Sequence, residues 1–302
     1  MSENELLFSL FFVSCRSKNK VEQPMIKDFD LLQRANNDYT TIDLEHAEEL
    51  AYRELIDSIR YIPLGDECGV MGNIANIITY KGRFYIQEEQ FDRVFIYDDT
   101  GRCLKKIDNK GRGPGEYLRI ESIDINTEKE ELMLVDGMSD KLFFYDLDGN
   151  FKSIHSIRYF QTENTLCLRD SVFLHISAPS QNFGNEGLYG YALVLSKGNE
   201  NFLKGYRYLP LQVGYKGGGQ IFKGYERSCY HPIYSDTIYQ ILSDTTYGPI
   251  FYFKIKNSSW EKYHNSDRFV DIDGSEEGVF TLLYENQDFF LGYIADKKKK
   301  GN

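Results

Sequence analysis

Asp92-Arg93-Val94-Phe95-Ile96-Tyr97-Asp98 is followed 48 residues later by Asp140-Lys141-Leu142-Phe143-Phe144-Tyr145-Asp146, and Gly101 by Gly149 at the same offset. Both copies are short, rich in aromatic and branched residues, and end in Asp with a Gly three residues on, the pattern of a strand leading into a tight turn. Ser139-Asp140 returns as Ser235-Asp236, two periods on, ahead of Thr237-Ile238-Tyr239-Gln240-Ile241. A weaker copy, Tyr191 to Gly198, falls between. A period of about 40–50 residues carrying four strands is the signature of β-propeller blades.

Working outward, the strand pattern continues through Ser58–Leu64, Ile74–Tyr80, Arg83–Gln87, Cys103–Ile107, Glu131–Val135, Phe151–Ile157, Val172–Ile176, Pro249–Ile255, Val279–Tyr284 and Phe289–Ile294. Alternation within these runs predicts an all-β fold. The single helical expectation is Glu45 to Ile56, with Asp43 as its cap. The turns Tyr97–Arg102 and Tyr145–Asn150 suit hairpins of about four residues built on a type I turn, with Gly in the left-handed position, joining the two outer strands of a blade.

Composition agrees. The 302 residues include 23 Tyr and 21 Phe against one Trp, and 41% are hydrophobic and 27% charged, a globular balance leaning to pleated structure. A net charge of -11 argues against nucleic acid and against an anionic membrane face as partners. Cys68, Cys103, Cys167 and Cys229 are far apart with no C-x-x-C pair, so zinc and iron–sulfur sites are not indicated. A disulfide between two of them stays open; the expectation for most is a small buried apolar role.

Leu6 to Ser14 reads LLFSLFFVS and ends at Cys15. Spanning a bilayer takes roughly 20 apolar residues, so this is the length of a signal-peptide core instead. Phe12-Val13-Ser14-Cys15 resembles a bacterial lipobox, whose cysteine is lipidated and becomes the mature N-terminus; its leader, Met1 to Glu5, carries two acids and no base. The expected division is a signal peptide at 1–15 ending on lipidated Cys15, a tether at 16–38, a propeller domain at 39–296 and a basic tail at 297–302.

Lys110-Gly111-Arg112-Gly113-Pro114-Gly115-Glu116-Tyr117, then Ile123-Asp124-Ile125 and Leu132-Met133-Leu134-Val135-Asp136, looks like an NHL-type blade. With the lipobox, Ile42-Asp43-Leu44, Tyr61-Ile62-Pro63-Leu64 and Tyr234 to Ile241, the chain resembles the six-bladed β-propeller lipoproteins of Gram-negative gut bacteria over about residues 39 to 285. The resemblance implies a six-bladed all-β fold in the periplasm or at the outer membrane. Six blades at the observed period need about 288 residues from Tyr61, and 242 are present, so about five blades are expected. A strand such as Thr40–Leu44 or Arg60–Leu64 would pair into the last blade and close the ring.

Five residues are candidates for ligand contact. The Gly111–Gly115 loop could cradle an anion on its N–H groups, with Arg112, Glu116 and Tyr117 beside it; the alternative is an inter-blade turn in which Arg112 pairs with Glu116. His175 and His231 lie about one blade apart and could both face a central channel, as convergent ligands do in metal-dependent propeller enzymes, although no linear metal motif is present. Dense aromatics at Tyr206–Tyr208 and Phe222–Tyr239 would suit sugar stacking or blade packing. The expectation is therefore a cell-envelope module without catalysis or cofactor that binds a small molecule, a glycan or an envelope protein, touching membrane only through its lipid. The alternative is a metal-dependent hydrolase, lactonase or lyase with its site in the channel.

Overall fold

The computed structural model describes residues 58–157 without a break and, beyond them, 162–169, 171–177, 191–198, 201–208, 219–224, 227–232, 235–243, 246–254, 279–285, 290–295 and parts of 30–46. The lipobox, most of the 45–56 helix expectation and the 297–302 tail lie outside the described residues.

The chain folds into four antiparallel sheets of blade form. The first holds β4 (Ile74–Tyr80), β5 (Arg83–Glu88), β6 (Arg93–Asp98) and β7 (Cys103–Ile107); the second holds β8 (Ser122–Asn126), β9 (Glu131–Asp136), β10 (Lys141–Asp146) and β11 (Phe151–Ser156). Every strand of the second begins 48 residues after its counterpart in the first. The third holds β12 (Asn164–Arg169), β13 (Val172–Ile176), β14 (Tyr191–Lys197) and β15 (Asn201–Tyr208); the fourth holds β16 (Gln220–Gly224), β17 (Arg227–His231), β18 (Thr237–Ile241) and β19 (Thr246–Lys254). The weak copy at Tyr191 is the third strand of its blade, as its place in the repeat requires. A separate hairpin pairs β20 (Val279–Glu285) with β21 (Phe290–Ala295).

The expectation of six blades, or about five after truncation, is therefore corrected to four among the described residues. Blades begin at 74, 122, 164 and 220, so after the first 48-residue step the period shortens to 42 and then lengthens to 56. The first blade also starts at Ile74, because residues 58–64 form no strand.

Turn chemistry sets each hairpin. Tyr80 pairs with Arg83 across a two-residue loop in which Lys81 (φ 49°) and Gly82 (φ 69°) are both left-handed, a type I′ turn. At the outer hairpins Asp98 Oδ1 accepts the N–H groups of Thr100 and Arg102, and Asp146 Oδ1 those of Asp148 and Asn150, while Gly101 (φ 89°) and Gly149 (φ 80°) take the left-handed position. Antiparallel order then places the first–second and third–fourth turns of every blade at one end of the molecule, and the second–third turns at the other.

Alternation along the strands divides the core. Leu132 and Leu134 of β9 join Val94 and Ile96 between the first and second blades, whereas Met133 and Val135 join Phe173 and Val194 between the second and third. Leu174, Leu193 and Leu195 meet Ile221 and Tyr230 between the third and fourth. Each such side chain contributes about 1.5–3 kcal/mol on burial, so inter-blade packing carries the fold. The inner strands β4, β8, β12 and β16 follow one another around the axis.

The two outward faces of this four-blade arc are covered differently. Phe95, Tyr97 and Cys103 of the first blade pack under Cys68 and Met71, and a Cys68–Cys103 disulfide pins that segment, with Cα atoms 6.0 Å apart. At the far end β3 (Thr40–Asp43) pairs parallel with β19 and Ile42 packs with Ile238 and Phe253. The Thr40 strand thus joins the fourth blade on its outer edge. β1 (Asp30–Leu31) and β2 (Gln33–Arg34) extend β15 and β19 likewise, covering edges that would otherwise be open to pairing.

Candidate functional site

The Lys110–Tyr117 loop joins the outer strand of the first blade to the inner strand of the second, and it is filled from within. Glu116 Oε2 accepts the Gly113 N–H at 2.6 Å, and a Cβ at Gly111 would sit 1.9 Å from the same oxygen. An incoming anion would meet that carboxylate, so the anion cradle is already satisfied by the chain itself. Glu116 turns to the backbone instead of pairing with Arg112, whose exposed side chain makes no ion pair among the described residues. Tyr117 is fully buried; its hydroxyl donates to Asp92 O at 2.8 Å and accepts from Asn109 N, and burial pushes its pKa up. These are the contacts of a turn lock.

His175 lies on β13, the second strand of its blade, at 0% exposure, between Thr165 Oγ1 (2.9 Å) and Ser196 Oγ (2.7 Å). Burial lowers its pKa to about 3, which keeps the ring neutral. The set contains a hydroxyl and a base, yet no substrate can reach it. His231 is also buried, on β17, and its Nε2 donates to Ser235 O at 2.8 Å at the second–third turn end. Both histidines therefore sit within blades and neither faces the axis. Among the described residues no three His, Cys, Asp or Glu side chains converge as metal ligands.

One concave site among the described residues is one the sequence did not single out. At the end bearing the first–second turns, a cavity of about 430 Å³ opens between the second, third and fourth blades. Arg169 at the close of β12, Lys223 near the close of β16 and Arg227 at the start of β17 bring three cations to it. Thr127, Ser228, Gln240 and Ser243 add hydroxyl and amide groups. Lys223 Nζ reaches Asp124 Oδ2 at 2.8 Å and Ile125 O at 2.6 Å on the second blade's inner strand. Asp124 is buried and also accepts the Cys167 N–H at 2.7 Å; burial pushes its pKa up against the pull of Lys223. The Arg227 guanidinium lies 5.6 Å from the centre of the Phe251 ring. Cys167 is in the wall, but burial pushes its thiol up to about 12, so it supplies no nucleophilic thiolate at neutral pH.

A second cavity of about 440 Å³ lies at the same end between the first two blades. Its cations are each paired, Lys81 with Glu130 and Arg83 with Asp148, and Asp146 adds a third carboxylate to the lining. The sequence did carry a signal for basic turns at this end, since Lys81 recurs as Lys129 one period later. Nothing in the sequence separated the neutralised turns from the basic ones.

Four repeated blades with inner strands succeeding one another about an axis define a β-propeller. Residues 39–302 match the domain of unknown function DUF4934, and the chain belongs to that family. No curated protein matches it. Among solved structures, a protein of Bacteroides fragilis NCTC 9343 described as exported superposes with a TM-score of 0.63 at 18% identity, covering 84% of this chain and 80% of that one. A catalytically inactive virginiamycin B lyase of Staphylococcus aureus, solved with quinupristin, gives 0.43 at 8% identity over 73% and 62%. BamB of Moraxella catarrhalis gives 0.36 at 12% over 58% and 46%. The first likeness supports the fold; the other two are too distant to carry an argument.

Proposed function

We propose that this protein is an exported envelope lipoprotein whose propeller binds a ligand without transforming it, and that the ligand seat is the cavity between the second, third and fourth blades. The observation that carries the reading is the cavity itself: about 430 Å³, in the range of small-ligand sites, with convergent polar groups on a rigid sheet scaffold. Non-catalytic binding is supported by its chemistry, since Cys167 is held protonated and His175 is sealed away. Export is supported by the Cys68–Cys103 disulfide, which suits an oxidising compartment, and by the exported protein that shares the fold. Lipidation at Cys15 rests on the apolar run and lipobox-like residues before it. The Lys110–Tyr117 turn, leading into an inner strand, supports an NHL-like blade.

The seat is tested by titrating the protein against a panel of charged and uncharged metabolites and glycans, with Ser228→Trp as a cavity-blocking variant. A ligand lost on blocking, at unchanged melting temperature, supports the seat; ligands that bind Ser228→Trp equally well overturn it. Membrane fractionation of Cys15→Ser tests the anchor, and unchanged association with the membrane would remove it from the proposal.

A further inference from the structure

Residues 58–64 run without helix, turn or bend and join no sheet, although their sequence alternates as a strand does. The run is nevertheless held in place. Arg60 Nη2 donates to Asp99 O at 2.7 Å, Gly65 N donates to Gly101 O at 2.8 Å, and a Cβ at Gly101 would lie 3.0 Å from Ile62 Cγ2. The Cys68–Cys103 disulfide pins the chain just beyond. With Arg60 and Ile62 turned to the first blade, Ile59 (66% exposed) and Tyr61 (87% exposed) stand in solvent, and Leu64 and Val70 extend the apolar surface along the same segment. Among the described residues, the main-chain N–H groups of Ile59, Arg60, Tyr61 and Ile62 meet no acceptor. A run fixed in position, apolar on one side and unpaired along its backbone, is a template for another strand.

We infer that this run is a self-association edge, at which two copies of the chain pair antiparallel about a two-fold axis at Tyr61. An isologous contact is self-complementary, so the run itself supplies the donors, acceptors and apolar side chains that it lacks as a partner. The third and fourth blades show the same remedy within one chain, since β1 pairs with β15, and β2 and β3 pair with β19. Copies of net charge -11 repel one another, yet no acid lies between Asp57 and Asp66, so two runs meet without opposing carboxylates. Arg60 and Pro63 select the register. Centring on Tyr61 sets Arg60 opposite Ile62 of the second copy, whereas centring on Arg60 would oppose two like charges. Pro63 then falls opposite Ile59 in a non-hydrogen-bonded position, where its missing N–H costs nothing. Arg60 and Ile62 form the hydrogen-bonded pairs on either side of the axis. The two Tyr61 rings meet at the axis, with Ile59 and Pro63 on the same face.

Sedimentation velocity of the full-length Cys15→Ser protein between about 1 and 200 µM tests this. A dimer with a Kd on the order of 10 µM is expected, as suits a small contact. Tyr61→Asp is expected to weaken it at least about tenfold at unchanged melting temperature, since the ring is exposed in the single copy. In the same background, Tyr61→Cys is expected to form a disulfide-linked dimer at least about tenfold faster than Ile59→Cys. Residues 61 face each other across the axis, while residues 59 of the two copies stand about 13 Å apart. A protein monomeric throughout the range, its edge left to some other occupant, overturns the inference. So does a dimer that Tyr61→Asp leaves intact, or Ile59→Cys linking as fast as Tyr61→Cys.

Discussion

Lys223 Nζ sits 2.8 Å from Asp124 Oδ2, so an inner-strand lysine of the fourth blade is tied to an inner-strand aspartate of the second. Because the same carboxylate oxygen accepts the Cys167 N–H of the third blade, one side chain joins three blades beside the cavity.

Replacing Lys223 with Met leaves the Asp124 carboxylate buried without its cation. Loss of one partner of a buried pair costs about 3–5 kcal/mol, and water at the partly exposed ammonium reduces this to about 2–3 kcal/mol. Denaturant unfolding should show that loss, with part of it recovered in Asp124→Asn/Lys223→Met. A Lys223→Met protein as stable as the parent would show that the pair is not holding the blades.

Ile77 and Ile125 occupy the same place in the repeat, 48 residues apart, but Ile77 is 51% exposed and Ile125 is 2% exposed. Ile125→Ala is expected to cost about 2–4 kcal/mol and Ile77→Ala under about 0.5 kcal/mol. Equal costs would mean that β4 is covered in solution as β8 is.

Breaking the Cys68–Cys103 disulfide, which closes 35 residues of sequence separation, releases the segment over Phe95 and Tyr97. The loop-entropy relation gives about 3–4 kcal/mol for a loop of this size. Thermal melts with and without reductant should show the loss, which Cys68→Ser should reproduce without reductant; superimposable melts would contradict the assigned pairing.

Tyr117→Phe removes a buried hydroxyl that bonds Asp92 O and Asn109 N, at an expected cost of about 1–3 kcal/mol. Ligand titration of the same variant is expected to be unchanged, since the turn lock lies at the end opposite the cavity.

Acid should destabilise the fold in two stages. His175 titrates near 6.5 when unfolded and near 3 when folded, so between these values the unfolded chain binds the extra proton and stability falls as pH drops. Asp98, held down to about 2 chiefly by the Thr100 hydroxyl, adds a second loss from 3.8 downward. Unfolding at stepped pH should show the first stage flattened in His175→Gln.

The repeat was legible in sequence because its signals are local. An Asp at a strand end and a left-handed Gly three residues on fix a hairpin through bonds within a few residues, as Asp98 and Gly101 do. The Ser58–Leu64 strand was misread because its alternation has no neighbour to pair with, and Tyr61 stands 87% exposed. Asn164–Arg169 and Gln220–Gly224 were missed because short runs with polar residues are held by adjacent blades more than by their own pattern.

By itself, the sequence determined the all-β class, the 48-residue spacing of the first two blades and the chemistry of their turns. Only the tertiary structure decided that Cys68 meets Cys103, that His175 is sealed within a blade, and that Arg169, Lys223 and Arg227 share one cavity. Turns are set by backbone bonds a few residues long. Those three convergences depend instead on the angle at which packed blades succeed one another, and that angle is fixed by side chains far apart in the chain.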